Sequence, residues 1–138
     1  MAFSIGNHIG FAVPLLAGSS VESFAVESPS RFEYLRGKNG APDGTTRERS
    51  FPPSTPLKDL QFMPAMSVGA YDGDPWFRLT DASGLGVKVT HHAQSTPVPP
   101  FVQFNLYGGT AEGFFCPEPF VGLHNSLNTQ TGQIALAP

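Results

Sequence analysis

Fourteen prolines and fifteen glycines, spread over the full 138 residues, interrupt this chain every few positions. Proline removes a backbone donor and clashes with the preceding helical turn, and glycine costs a helix interior about 1 kcal/mol relative to alanine. A helix of three turns therefore has almost nowhere to form. Short strands and loops are what remain, and the sequence predicts an all-β protein, an antiparallel β-sandwich. Strand candidates are residues 3–5 running on towards 13, then 23–27, 76–81, 86–91, 101–106, 113–116 and 133–136. In residues 87–90 and 101–106 apolar and polar side chains partly alternate, as half-buried strands require. Asp81-Ala82-Ser83-Gly84 separates two of these runs and has hairpin-turn chemistry, since Gly accepts positive φ and Asp or Ser bonds nearby backbone.

Residues 28–56 read differently. Arg31, Arg36, Lys38, Arg47 and Arg49 lie there among Gly, Pro, Ser and Thr with little periodicity, and the expectation is one long loop over the surface. The rest has the size of one core, so residues 1–138 are read as a single sandwich domain. A formal charge of -3 provides no footprint for a phosphate backbone, which argues against nucleic acid as a partner. No stretch reaches the ~18 apolar residues of a membrane span, and the apolar opening segment lacks the basic lead of a signal peptide. The single cysteine, Cys116, excludes an internal disulfide and favours a cytoplasmic location.

Four places carry side chains suited to chemistry. His8 sits beside Asn7 between Gly6 and Gly10 at a strand end, and imidazole exchanges protons near neutral pH. A backbone-satisfied structural histidine is the competing reading. Glu118 stands between Pro117 and Pro119 among aromatics, in a stiff extended segment, and apolar neighbours favour a basic carboxylate. The alternative is a solvent-facing acid in a proline loop. Asp72 and Asp74 precede Trp76, a pattern able to bind sugar hydroxyls beneath a stacking indole, or simply a turn before a strand. His91 and His92 point to opposite faces of a strand and make no metal-ligand spacing with Cys116, so no metal site is expected.

Three stretches, in order, two of them carrying His8 and Glu118, resemble the aldose 1-epimerase (mutarotase) superfamily. FSIGNHIGFAVPL at residues 3–15 resembles the strand that carries the family's catalytic histidine, with Ile9 where many members have proline. FFCPEPFVGLHNSLNT at residues 114–129 is similar to its Glu-Pro segment, and GQIALAP at 132–138 to its closing strand. The resemblance covers the C-terminal part of that fold, the galactose mutarotase-like supersandwich. It implies an isomerase that interconverts sugar anomers: Glu118 takes the proton of the anomeric hydroxyl, His8 protonates the ring oxygen, and the pyranose opens and recloses. Asn7, Asp72 and Trp76 are the implied substrate-binding residues, with Asp59 as the alternative acid. A hexose-like monosaccharide is the implied ligand, with no cofactor. Paired acid and base groups across a sugar are expected about 5 to 9 Å apart. The family's first half supplies an Arg and a second His that have no counterpart here, so a homodimer or completion by another chain is expected. A non-catalytic carbohydrate-binding or structural sandwich, or a truncated inactive form, is the competing function.

Overall fold

The computed structural model describes residues 2–60, 62–92 and 101–135. Its strands, in chain order, are β1 (Ala2–Phe3), β2 (Ile5–Gly6), β3 (Phe11–Ala12), β4 (Ala25–Glu27), β5 (Phe32–Arg36), β6 (Pro42–Glu48), β7 (Ser54–Pro56), β8 (Phe62–Gly69), β9 (Trp76–Thr80), β10 (Gly86–Thr90), β11 (Val102–Gly109), β12 (Phe114–Val121) and β13 (Ile134–Ala135). The only α-helix among the described residues is the single turn α1 (Ser126–Thr129). The all-β expectation holds: the chain is an antiparallel β-sandwich. No described helix is long and apolar enough to cross a membrane.

A seven-stranded sheet runs β2-β12-β11-β8-β5-β6, with β3 also paired to β12, and a four-stranded sheet runs β10-β9-β4-β7. Their facing sides form the core. Val26, Phe77 and Leu79 from the smaller sheet meet Phe62, Val68, Phe104, Leu106 and Phe115 from the larger. The Phe77 ring packs 6.0 Å from that of Phe104 and 5.6 Å from that of Phe115. Burying such side chains contributes roughly 1.5–3 kcal/mol each. The predicted hairpin forms: β9 and β10 pair with Thr80 opposite Gly86, and Gly84 at φ 82° closes the turn through its N–H to the Asp81 carbonyl.

Residues 28–56 are a correction. They hold β5, β6 and β7, with β5 paired to both β6 and β8 inside the larger sheet. The alternation was inverted: Glu33, not an apolar residue, lies beside core Val68 in register, while Phe32 and Tyr34 take the other face. β6, at the sheet edge, is mostly exposed and reads PDGTTRE, which has turn composition. β8 also escaped the pattern, its FMPAMSVG being poor in β-branched residues. The predicted strand at 113–116 runs on to Val121 through both prolines. Of the predicted strand 133–136, Leu136 lies outside the described residues, as do residues 136–138 of the closing segment.

Candidate functional site

The site lies on the face of the larger sheet that points away from the core. Along β12 the side chains alternate: Phe115 enters the core, whereas Cys116, Glu118 and Phe120 take the opposite face. Opposite β12 runs the segment from Ile5 to Ala12 in one unbroken antiparallel register. Gly6 pairs with Phe120, Phe11 with Phe115 and Ala12 with Phe114, which sets His8 across from Glu118 and Gly10 across from Cys116. The Asn7 N–H donates to the Pro119 carbonyl at 3.1 Å and that of Val13 to Gly113 at 3.0 Å, so His8 and Glu118 form a non-hydrogen-bonded pair, the closer kind.

The prolines explain why this ladder breaks between β2 and β3. Pro117 and Pro119 have their nitrogens on the side facing residues 7–9, and neither can donate. The stretch bearing His8 is thus held at both ends and released in the middle. Gly6 and Gly10, two positions either side of His8, share its face. A Cβ on Gly6 would lie 2.3 Å from the Phe120 ring, and one on Gly10 3.2 Å from the Cys116 sulfur, so the close approach depends on both glycines.

Nε2 of His8 lies 3.2 Å from Oε1 of Glu118. This direct contact is shorter than the expected span across a sugar. The two partners are unequal: the His8 side chain is 73% exposed and that of Glu118 only 7%. The second carboxylate oxygen is held from below, where Nδ2 of Asn105 on β11 donates to Oε2 at 3.1 Å. Asn105 is held in turn by the Arg36 Nη2 at 3.0 Å and the Ser67 hydroxyl at 3.2 Å, both donating to its Oδ1. A guanidinium has donors only, so the carbonyl end of Asn105 must face Arg36, and its amide hydrogens must then face Glu118. Arg36, Ser67, Asn105 and Glu118 form a chain across β5, β8, β11 and β12. Burial lowers the Arg36 pKa from its ordinary value. Burial, with the Glu118 charge second, pushes the Cys116 thiol up, so it is a poor nucleophile.

The other predicted residues are placed elsewhere. Asn7, exposed and on the strand face opposite to that of His8, contributes its backbone N–H to the ladder. Asp72 pairs with Arg31 at 3.5 Å beyond the end of β8, with both side chains largely exposed. Trp76 lies on the smaller sheet, where Phe77 and Leu79 take the core face and Trp76 the outer one, with the Lys88 ammonium 4.6 Å from its ring centre. An indole there cannot stack on a sugar held at Glu118, because the whole sandwich lies between them. The Glu118 face carries the aromatics Phe120, Tyr107 and Phe114, the last two 5.7 Å apart, with Phe32 and Tyr34 further across the same face on β5. Asp59 closes a 3-10 turn, Leu57–Asp59, and is exposed. His92 bonds Asp74 at 2.8 Å.

Asn105, Ser67 and Arg36 were not singled out from the sequence. One available signal was periodicity: Gly6, His8 and Gly10 share a face, as do Cys116, Glu118 and Phe120, and pairing the two triplets brings acid and base together. No protein-family model matches the chain, and no curated protein sequence matches it.

Proposed function

We propose that the protein is an aldose 1-epimerase-like isomerase that interconverts the anomers of a hexose-like monosaccharide, in the manner of the galactose mutarotase-like supersandwich. The observation that carries this reading is the pairing of a buried, oriented carboxylate with an exposed imidazole at one point of an open sheet face. Anomer interconversion needs a base for the anomeric hydroxyl and an acid for the ring oxygen, and no metal or redox group.

In the reaction Glu118 accepts the anomeric proton on Oε1, while Asn105 fixes Oε2 and leaves Oε1 directed outward. His8 swings away on its released segment to admit the pyranose between the two groups, then donates a proton to the ring oxygen. The open aldehyde rotates about its C1–C2 bond and recloses with the proton transfers reversed. Tyr107 and Phe114 offer an apolar surface for the sugar ring on the same face. Arg31, Arg36, Arg47 and Arg49 are each tied to an internal partner, which favours a neutral sugar over a phosphorylated one. The same reading places the protein in the cytoplasm and pairs it with a second copy or another chain along the open edges of the larger sheet. Sedimentation velocity distinguishes a dimer from a monomer.

Catalysis is tested by polarimetry on a freshly dissolved pure anomer of an aldohexose. The protein accelerates the approach to rotational equilibrium, and Glu118→Gln and His8→Gln each lose on the order of 10²-fold or more of that acceleration. A rate equal to that of buffer alone, or variants as fast as the parent, overturns the reading.

A further inference from the structure

The register that brings His8 to Glu118 also brings Cys116 to both. A nitrogen of His8, the sulfur of Cys116 and a carboxylate oxygen of Glu118 all lie within 4.8 Å of one another. We infer that these three side chains bind one zinc-like divalent transition metal, at a site that shares His8 and Glu118 with the proposed sugar reaction, so that a bound ion and a reacting sugar exclude one another.

The donor set selects the metal. One imidazole nitrogen, one thiolate and one carboxylate suit borderline zinc and its tetrahedral stand-in cobalt, whereas magnesium and calcium take oxygen alone. Metal–ligand bonds of about 2.0–2.3 Å put tetrahedral ligands roughly 3.3–3.7 Å apart. The trio therefore needs to close by about 1 Å, and the exposed His8, on the part of its segment freed from the ladder, is the member that moves. A neutral imidazole, a thiolate and a carboxylate together carry two negative charges, so a divalent ion makes the group neutral in a place where Cys116 and Glu118 are both buried. Gly10 stands directly over the sulfur with no side chain, and a Cβ there would already come within 3.2 Å of it. Three protein ligands leave the fourth tetrahedral position on the open side of the face, where His8 is exposed.

The sequence gives no sign of such a site, because its ligands sit at positions 8, 116 and 118, outside any compact spacing. Only the strand register collects them.

The test is a titration of the intact, reduced chain with cobalt(II), followed by absorption. The expected result is one equivalent bound, with the visible bands of tetrahedral cobalt and a near-ultraviolet thiolate-to-cobalt charge-transfer band, both removed by adding zinc. Cys116→Ser removes the charge-transfer band. His8→Ala, a change at an exposed position that leaves the core intact, weakens binding by more than the roughly 10- to 100-fold that outer partners of metal ligands are worth. The inference is overturned if the parent shows no charge-transfer band, or if the band survives unchanged in His8→Ala.

Discussion

The larger sheet carries two buried glutamates on opposite faces, and they are finished differently. Glu33, on the core side of β5, accepts from the Ser50 backbone N–H at 2.6 Å, from the Ser50 hydroxyl, and from Arg47 through Nε at 2.8 Å and Nη2 at 2.7 Å. Burial alone would raise its pKa, but the Ser50 hydroxyl and amide and then Arg47 outweigh it, and the carboxyl lies below its ordinary 4.5. Among the described residues Glu118, on the outer face, has one fixed donor, Asn105, and beside it an exposed histidine with no other side-chain partner. A carboxylate with every lone pair occupied is a brace. One with a free, outward oxygen beside a movable proton carrier is suited to proton transfer.

The comparison breaks most visibly if the two positions are exchanged in experiment. Glu118→Gln keeps an acceptor for Asn105 and loses the base, so anomer exchange falls by about 10²- to 10⁴-fold while thermal unfolding barely moves. Glu33→Gln does the reverse. Removing one partner of a fully buried ion pair costs roughly 3–5 kcal/mol, and because Arg47 is more than half exposed the expected loss here is about 2 kcal/mol, with exchange rates intact. Denaturant midpoints and polarimetry, run on both variants, separate the roles. If Glu33→Gln abolished exchange in a folded protein, the division between the faces would be wrong.

The acid limb of stability sharpens the same point. A folded pKa below the unfolded value means that Glu33 stabilises the fold above the unfolded pKa, and that this contribution disappears as pH falls through the folded one. The parent therefore loses stability on acidification below about pH 5, and Glu33→Gln, starting lower, falls less steeply over that interval. Parallel curves for the two proteins would remove Glu33 as a cause.

Asn105 offers a smaller and more local effect. A hydrogen bond to a charged group is worth about 1.5–3 kcal/mol, and the part that orients Oε1 translates into on the order of a tenfold change in rate. In Asn105→Leu kcat is expected to fall by about that factor with KM unchanged, since the residue has no contact with the proposed sugar. A rise in KM alone would make Asn105 a binding group instead of one that positions Glu118.

How far the sequence revealed this arrangement follows from what each residue's neighbours disclose. Glu118 stood out because two prolines and several aromatics bracket it, and His8 because two glycines do; both signals are local. The fold class was legible in the same local way, through punctuation by Gly and Pro. Residues 28–56 were not, since β5 hides a charged side chain inward and β6 is an edge strand whose composition suits a turn. Arg36, Ser67 and Asn105 lie on three different strands, and nothing in the sequence around any of them marks the chain they form. Trp76 illustrates the opposite failure. An indole is a side chain able to stack on a sugar, but its face is set by the phase of β9, which the core positions Phe77 and Leu79 fix only once both sheets are known.

That phase gives the smallest expected effect. Trp76→Ala removes a contact with Lys88 worth about 0.5–1 kcal/mol at an exposed site. Because the side chain lies on the far side of the sandwich from Glu118, anomer exchange and KM should match the parent. A substantial rise in KM would require a sugar-binding surface on the smaller sheet, and the separation of bracing and reacting carboxylates by face would then describe only part of the site.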